Sequence, residues 1–501
     1  MTHLHKPKKH RVGLSYWMRR VLKECHHAGP GFAADPVHDL RVALRRCRSL
    51  AGGLMQLDPQ GDWRAMRKAG RRLFRQLGRL RDLQIMMEWV GKLAPAGDPV
   101  RDRLVAMLTL EEQQLKDQAR QALEEFDRVQ WAKWAETLPQ RANRVELDSP
   151  AFQHLALERW HEGYDLHRRA LRVRSRVAFH RLRIGLKRFR YTVENFLPSR
   201  HEWLRDLKHL QDQLGEVHDL DVLQARFFTR RRMFSEHEKA AWRERIEQER
   251  APRLADYRKR MIGRPSLWKV WRAALPSGPH LEEAGLAKLE VWASFLDPHF
   301  RHSQQVARIA QNLLQGFASI SVDGIPYDAR ARKILVAAGL LHDVGRAEGS
   351  RGHHKTTYKL IHGFPPPLGW TAQEMRRIAL VARYHRGAEP RWTHQGFRSL
   401  SSAARRRVLW LAGLLRLADG IVKGSRGPVS QVRVEERPEA ILVWARGFVE
   451  DRRGAALLGD RKHLLELTLK RPVIVQGWRA GFREKPAPRG RRLKPTSRKK
   501  K

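Results

Sequence analysis

The sequence of 501 residues contains very little cysteine, and it has no long apolar run. Its two cysteines, Cys25 and Cys47, exclude a disulfide framework and a zinc site built on cysteine pairs. The longest apolar runs, at 334–341 and 408–415, fall far short of the roughly 20 residues that a membrane helix needs. Residues 2–20 are basic without the apolar centre of a signal peptide. We therefore expect a cytoplasmic protein without membrane insertion.

Acidic residues are also scarce, because 53 Asp and Glu face 99 Lys and Arg, for a net charge of +46. Residues 1–280 hold 57 basic and 34 acidic side chains, which leaves 42 and 19 for the rest, so each part carries +23. Hydrophobic residues make up 42%, enough for packed cores, which excludes wholesale disorder. Such a charge favours a polyanionic partner: nucleic acid, an anionic membrane surface or polyphosphate.

The chain divides by its hydrophobic period. Apolar residues recur at three and four over most of the chain up to about residue 422, and Pro and Gly are concentrated at breaks. Beyond residue 428 the period changes to two, which predicts short strands at 429–434, 441–444, 465–469 and 473–475. We expect a helical domain at 12–262, a linker at 263–285, a second helical domain at 286–425, a small β-containing subdomain at 426–480, and a disordered basic tail at 483–501.

The first helical domain contains an internal repeat. The segment that begins at Val37 recurs 142 residues later at Phe179. A Leu-Gly…Asp-Leu segment follows each copy, beginning at Leu77 and at Leu214. Two equivalent helical bundles are the natural interpretation.

Each copy of the repeat carries a row of cations at the spacing that places side chains on one helix face. An apolar row precedes each by one residue and must face the bundle core. Opposite charges that would normally limit repulsion are nearly absent, since Asp39 is the only acid in the first window and the second has none. Arginine rows of this kind fit phosphate oxygens. The predicted polyphosphate-binding residues are His38, Arg41, Arg45, Arg46 and Arg48 in the first copy, and His180, Arg183, Lys187, Arg188 and Arg190 in the second.

A flexible chain of phosphates is the expected ligand of these rows. Duplex DNA is a poorer candidate because no known DNA-binding motif is present. Single-stranded RNA would favour clustered aromatic platforms, whereas the 16 Trp residues are scattered. Nucleic acid therefore stays open as a less favoured partner.

The paired His-x-x-Arg-x-x-x-Arg/Lys windows, each followed by its Leu-Gly…Asp-Leu segment, resemble the CHAD domain, the conserved-histidine α-helical domain. The resemblance covers about residues 12–262. It implies two four-helix bundles related by a pseudo-twofold axis, with a basic surface that binds inorganic polyphosphate.

The second helical domain contains His302, the adjacent pair His342-Asp343, and Asp419, all near predicted helix ends. Four nitrogen and oxygen ligands of this kind could hold one divalent cation, such as Mg²⁺ or Mn²⁺, and leave open positions for water. Such a cation would activate water for attack on phosphorus, so Asp343 and His342 are the predicted catalytic residues. Residues between them could complete a second metal position or contact phosphate: His353, His354, Lys355, His385, Arg386 and Arg346.

This half resembles the HD metal-dependent phosphohydrolases, and most closely the HD-type C-terminal region of the exopolyphosphatase/guanosine pentaphosphatase family. The segments that carry the resemblance are 340–345, 353–355, 384–386 and 416–419, and the likeness spans about residues 286–475. In the larger relatives this region is expected to serve mainly in binding the polymer, so the resemblance alone does not imply turnover. The complete fold expectation is mainly α: two pseudo-symmetric bundles, then an all-α HD-type domain with a small β-containing subdomain.

Three functions stay open on this evidence. The leading one is a polyphosphate-binding protein whose HD-type site hydrolyses polyphosphate or a related phosphoanhydride. The second is a non-enzymatic protein that tethers polyphosphate through the first domain, with an inert HD region. The third is a phosphohydrolase directed at RNA or nucleotides. For the first two, association with polyphosphate granules in the cytoplasm is expected, while the oligomeric state is left open.

Overall fold

The structure is a computed structural model, and it describes residues 13–29, 31–229, 233–320 and 327–478. The chain forms two compact units, the first from Met1–Leu296 with Pro365–Ala372, the second from Asp297–Phe364 with Gln373–Lys501. The predicted basic tail at 483–501 lies outside the described residues. Among the helices of the described ranges, none has the length and apolarity to cross a lipid bilayer.

The first unit is helical. Its helices are α1 Leu14–Ala28, α2 Ala34–Leu54, α3 Gly61–Ala69, α4 Arg71–Leu93, α5 Pro99–Glu124, α6 Arg128–Ala142, α7 Pro150–Val173, α8 Arg176–Phe196, α9 Trp203–Thr229, α10 Glu236–Met261, α11 Leu267–Ala273 and α12 Pro279–Leu296, with a 3-10 turn at Pro198–Arg200. Residues 263–285, expected as a linker, thus contain α11 and the beginning of α12.

The sequence repeat corresponds to two bundles with the same packing order. In the first, α1 packs on α2, α2 on α4 and α4 on α5, while in the second α7 packs on α8, α8 on α9 and α9 on α10. The bundles meet where α2 contacts α8 and where α4 contacts α9, which are the equivalent helices of the two repeats. The two cation-bearing helices therefore lie against each other.

The helix α8 shows how local sequence produces this packing. Ser175 caps its N-terminus by accepting a hydrogen bond from the backbone N–H of Ala178. The apolar row of α8 is buried, as is that of α2. Gly185 lets α8 approach α7 closely, since a Cβ at that position would lie 3.3 Å from the Cα of Gly163. The apolar periodicity read from the sequence is thus the face that fills the core.

The second unit combines helices with a small sheet. Its elements are α13 Phe300–Ala318, α14 Ala329–Leu341, a 3-10 segment Val344–Glu348, α15 His353–Gly363, α16 Ala372–Arg383, α17 Gln395–Arg398, α18 Ser402–Lys423, β1 Val432–Glu436, β2 Ile441–Ala445, α19 Arg452–Leu469 and β3 Val473–Gly477. The strand order is β1-β2-β3, with β1 antiparallel and β3 parallel to β2. Val443 pairs with Val434 on one side and with Val475 on the other. The predicted fold, mainly helical with a small C-terminal β-containing part, is confirmed.

The strand predicted at 465–469 is wrong, because these residues form the end of α19. Leu465 and Leu469 are buried, but Leu467, which the strand pattern places on the same face, is 53% exposed. Leu458, Leu465 and Leu469 follow one another at intervals of seven and four residues, which is a helical spacing, and α19 packs this face against α18. The helix also provides the connection that a parallel pair such as β2 and β3 requires.

Candidate functional site

The two predicted cation rows converge in the first unit. The ammonium group of Lys187 on α8 lies among four guanidinium groups, those of Arg41 and Arg45 on α2 and those of Arg183 and Arg190 on its own helix. Burial, followed by these four charges, lowers the pKa of Lys187 to about 7. Burial also lowers the pKa of Arg45, with the charges of Arg41 and Arg190 acting in the same direction. We refer to Arg41, Arg45, Arg183, Lys187 and Arg190 as the cationic cluster.

The Leu-Gly…Asp-Leu segments contact the cationic cluster through their glycines and offset part of its positive charge through their aspartates. A Cβ on Gly78 would lie 3.8 Å from the guanidinium of Arg41, and one on Gly215 would lie 3.7 Å from that of Arg183. Each arginine therefore lies against the neighbouring helix at the glycine position, at ordinary contact distance from an added Cβ. The equivalence of the two contacts supports the twofold relation between the repeats.

Two aspartates from the same segments lie near these arginines. Asp82 accepts a hydrogen bond from Arg41 at 3.2 Å, and the two side chains form a salt bridge. Burial raises the pKa of Asp219 to about 6, against the opposing charges of Arg183 and Arg41 and with the help of the Asp82 charge. The pair compensates part of the positive charge at the centre of the cluster.

Much of the cluster has no carboxylate partner. Within the described residues, no Asp or Glu oxygen lies within 4 Å of the side-chain nitrogens of Arg45, Arg183 or Lys187. The Nε atoms of Arg41, Arg45 and Arg183 are buried without a hydrogen-bond acceptor. Buried donors without acceptors are costly unless a ligand or water satisfies them. The cluster is therefore arranged for an anion with several oxygen atoms.

The other predicted residues of the rows lie at its margin. Arg46 pairs with Glu194 at 2.6 Å, and Arg188 pairs with Glu162 and is half exposed. Arg48 donates to the backbone oxygen of Arg67 at 2.7 Å. His38 is exposed, and the Nδ1 atom of His180 lies 3.1 Å from that of His218.

Aromatic rings support the cluster, which the sequence reasoning missed. The guanidinium carbons of Arg45, Arg46 and Arg190 lie 4.6 to 5.8 Å from the ring centre of Tyr191. The guanidinium carbons of Arg41 and Arg48 lie 5.7 and 5.2 Å from the ring centre of Phe74. Aromatic faces hold arginines in place without neutralising them, so the charge stays available to a ligand. Tyr191 directly follows the row in the sequence, which is the signal that could have found it.

In the second unit, three buried histidines present Nε2 to a common centre. The Nδ1 atoms of His342, His353 and His385 lie 2.7, 2.9 and 2.7 Å from the backbone oxygens of Gly339, Ser350 and Ala382. A carbonyl oxygen only accepts, so each Nδ1 carries the proton and donates it. Each Nε2 is then free to bind a metal, in the arrangement common to metal-bound histidines.

Asp343 lies at the centre of these nitrogens. Its Oδ1 is 2.9 Å from His353 Nε2 and 3.6 Å from His385 Nε2, and the two nitrogens are 3.3 Å apart. Ligands about 2.1 Å from one ion are separated by about 3.0 to 3.4 Å in tetrahedral or octahedral geometry. The group Asp343, His353 and His385 therefore has dimensions that fit a divalent cation.

A second group shares Asp343. His302, His342 and Asp343 each offer a ligand atom within 4.8 Å of the others. The Nε2 of His342 and the Oδ1 of Asp343 are buried without a hydrogen-bond partner, and such atoms fit metal binding. His302 Nε2 also lies 2.8 Å from Asp419 Oδ1, so the four residues predicted as metal ligands are brought together. One carboxylate placed between two ligand groups suits two ions as well as one.

The charge of Asp343 is held by its neighbours. Burial acts to raise the pKa of Asp343, but the close imidazole rings of His353, His342 and His385 and the hydrogen bond of Arg346 outweigh it, so the pKa lies well below its usual range. Arg346 Nε donates to Asp343 Oδ2 at 2.6 Å. Arg346, predicted as a possible second-metal or phosphate contact, thus orients the central carboxylate here.

Asp419 is surrounded by cations from two helices. Lys423 Nζ lies 2.8 Å from its carboxylate, and Arg461 of α19 also donates to it. Against the effect of burial, the hydrogen bond of His302, the nearby His342 ring and the charges of Arg461 and Lys423 keep the pKa of Asp419 well below its usual range. The sequence reasoning did not select Lys423 or Arg461. Arg461 lies in a helix where a β-containing segment was expected, so no motif pointed to it.

The turn after Asp343 is fixed by close packing against α15. The hydroxyl of Thr357 donates to the His342 carbonyl at 3.0 Å and accepts from the Gly345 N–H at 3.0 Å. A Cβ at Gly345 would lie 2.2 Å from the His353 backbone oxygen. Glycine is therefore required here to bring α15, with His353, against the metal-ligand groups.

A cavity of about 560 Å³ adjoins this centre. It is lined by His385, Arg386 and Arg416 on one side and by Arg461 and His463 on the other, with Glu389 and Asp460 at its wall. Arg386 is exposed and Lys355 is also at the surface, while His354 packs beside His353 with ring centres 6.1 Å apart. Among the described residues, the two metal-ligand groups include neither His354 nor Lys355.

The chain matches two known families. Residues 18–227 match the CHAD domain, and residues 295–438 match the Ppx/GppA phosphatase, domain III. A crystal structure of the CHAD domain from the plant Ricinus communis is similar at 22% identity and a TM-score of 0.36, covering 52% of this chain and 88% of that chain. A search of curated proteins gave no match.

The geometry and these matches define a helical protein of two parts. The resemblance of the N-terminal region to a CHAD domain, and that of the C-terminal region to the Ppx/GppA family, are both confirmed. Together they relate the chain to polyphosphate.

Proposed function

We propose that this protein binds inorganic polyphosphate at the cationic cluster of its first unit and hydrolyses phosphoanhydride bonds at a metal centre in its second unit. The observation that carries the proposal is the convergence of the two cation rows around Lys187, with buried guanidinium donors that lack acceptors. A linear polyphosphate supplies negative charge and oxygen acceptors at every phosphate unit, so one polyphosphate molecule can satisfy several of these donors together.

The second unit supplies groups suited to hydrolysis. His302, His342, Asp343, His353, His385 and Asp419 would hold one or two divalent cations, with Mg²⁺ or Mn²⁺ as candidates. A bound cation would polarise a phosphoryl oxygen and activate water. Arg346 orients Asp343, while Arg386 and Arg461 line the adjoining cavity, where they would bind the oxygens of a phosphate group.

Binding is tested with a double variant. Arg41→Ala with Arg183→Ala removes one twofold-related cation from each row, and we expect the affinity for long-chain polyphosphate to fall at least tenfold, since each charge-assisted contact contributes about 1.5 to 3 kcal/mol. The matched control is Arg168→Ala with Arg172→Ala, two exposed arginines of α7 outside the cluster. Equal affinity in the two double variants would contradict the cluster as the binding site.

Hydrolysis is tested on the purified chain with Mn²⁺ or Mg²⁺ and long-chain polyphosphate. We expect release of phosphate that requires the metal and disappears on chelation. If no phosphoanhydride is cleaved while polymer binding is intact, the protein is a polyphosphate tether and the metal centre is structural. If nucleotides or RNA are cleaved and polyphosphate is not, the substrate assignment is wrong.

A further inference from the structure

A cavity of about 490 Å³ in the second unit is separate from the metal-ligand groups. It lies among α15, α16 and α17, and its wall includes Tyr358, Arg376, Arg383, Tyr384 and His394. None of its lining residues belongs to either group of candidate metal ligands. A volume of this size is in the usual range for small-molecule sites, about 300 to 1,000 Å³.

The charge of the cavity is of one sign. Its lining contains two arginines and no Asp or Glu. Further positive charge lies close by, because Arg391 and Lys355 act with Arg383 on the ring of His394. A ligand of this cavity is therefore expected to carry negative charge.

Its walls are also aromatic. The guanidinium carbon of Arg383 lies 5.3 Å from the ring centre of Tyr358 and 5.6 Å from that of Tyr384. The ring of Tyr384 is stacked with that of His394 at 5.7 Å. Tyr384 is itself buried, so the partly exposed rings of Tyr358 and His394 are the faces available to stack a nucleic-acid base.

The cavity also has fixed polar groups. The Nδ1 atom of His394 accepts the Arg391 backbone N–H at 3.2 Å and lies 2.8 Å from the Tyr384 hydroxyl. Nδ1 is therefore an acceptor, and the neutral ring carries its proton on Nε2, as a donor. Gly396 keeps the wall open, because a Cβ there would lie 2.6 Å from the Tyr358 hydroxyl.

We propose that this cavity binds a nucleoside monophosphate, with Arg376 and Arg383 on the phosphate and the aromatic wall on the base. Inorganic phosphate would use only the arginines, and a free nucleoside only the wall, so each should bind more weakly than the nucleotide that joins them. Tyr384 immediately precedes His385, a candidate metal ligand. The cavity therefore lies beside the metal-ligand groups, but His385 is not part of its lining. The proposal does not depend on hydrolysis at the metal centre.

The test uses the full chain with AMP as the probe, in EDTA and about 0.3 M salt to weaken non-specific binding of anions to the basic surface. We expect calorimetric binding of AMP that exceeds that of adenosine and inorganic phosphate, while tripolyphosphate binding at the cationic cluster is unaffected by Arg376→Gln. Arg376→Gln, an exposed position, should weaken AMP binding about tenfold or more through loss of a charge-assisted contact. The control is Arg398→Gln, an exposed arginine of α17 outside the lining, which should leave AMP affinity unchanged.

A second readout locates the site. Photo-crosslinking with 8-azido-AMP should label peptides that contain Tyr358 or His394. The proposal would be overturned if labelling were confined to the first unit, or if Arg376→Gln left AMP binding intact. It would also be overturned if tripolyphosphate bound the wild type as tightly as AMP and lost the same affinity in Arg376→Gln. None of these outcomes would bear on polyphosphate binding at the cationic cluster.

Discussion

Asp343 is the residue on which the candidate metal centre depends most, because it belongs to both ligand groups. Its two oxygens face different neighbours: Oδ1 lies near His353 and His385, and Oδ2 accepts from Arg346. Replacing the carboxylate by an amide keeps the shape but places donor hydrogens where a ligand oxygen is required.

We predict that Asp343→Asn lowers Mn²⁺ affinity by more than the roughly 10- to 100-fold that loss of an outer-shell partner costs. Metal-dependent hydrolysis should disappear, while polyphosphate affinity is unchanged because the cationic cluster is in the first unit. Calorimetry with Mn²⁺ and polyphosphate measures both, and His280→Ala, an exposed histidine, is the control. Unaltered Mn²⁺ affinity in Asp343→Asn would refute the proposed ligand set.

The pKa of Lys187, about 7, makes the cluster sensitive to pH. An anion favours the charged amine, so binding takes up a proton and affinity should fall as pH rises through 7. Linkage gives a loss of about tenfold or more between pH 6.5 and 8.5. Asp219, whose pKa is about 6, acts in the same direction at the acidic end, while burial keeps the pKa of His180 and His218 below the usual value.

The variant Lys187→Arg distinguishes the contribution of Lys187 to this pH dependence from those of Asp219 and the histidines. Arginine keeps its charge across this range, so the variant should lose most of the pH dependence above pH 7. Affinity measured at constant ionic strength between pH 6 and 8.5 provides the comparison. The same pH dependence in wild type and variant would exclude Lys187 as the titrating group.

The sequence selected the residues of the candidate metal centre because histidine and aspartate near helix ends are suitable metal ligands, and the structure brings His302, His342, Asp343 and Asp419 together. The sequence could not show which nitrogen of each ring faces the centre, since that depends on backbone carbonyls such as Gly339 O and Ala382 O. It also could not show that Arg461 reaches Asp419, because the contact joins α19 to α18.

At the scale of elements, the contact between α13 and α14 brings His302 and His342 together. Gly339 of α14 lies directly against Ala307 of α13, and a Cβ there would be 2.7 Å from the Ala307 Cα. We predict that Gly339→Ala separates the helices, destabilises the second unit by about 1 to 3 kcal/mol and weakens metal binding.

Denaturant unfolding with and without Mn²⁺ measures both effects. Gly363→Ala, where an added Cβ has no neighbour within 4 Å, is the matched control. Wild-type stability and metal affinity in Gly339→Ala would show that this contact does not position the ligands.

Helices were largely predictable as elements, because their apolar periods extend over several turns. The alternation of apolar and polar residues at 465–469 wrongly predicted a strand, because its first and last residues also fit a helix face that α18 covers. The sequence could not show that the two cation rows converge, because it places each row on a face of its own helix and does not show how the bundles pack. Only the packing of α2 on α8 decides that the rows meet.

At the scale of the whole molecule, the net charge of +46 raises the general affinity for any polyanion. By analogy with single-stranded nucleic acid, about six phosphate contacts give a log–log salt slope near −4, roughly a 10²-fold loss of affinity between 50 and 200 mM salt. Titration of polyphosphate at several salt concentrations measures the slope. A nearly flat dependence would contradict a phosphate-dominated interface.

We expect the cationic cluster to bind a flexible phosphate chain in preference to other polyanions. Competition between long-chain polyphosphate and single-stranded RNA, at equal phosphate concentration and physiological salt, tests it most directly. We predict that polyphosphate displaces RNA and that Arg41→Ala with Arg183→Ala abolishes the preference. Displacement of bound polyphosphate by RNA would contradict it.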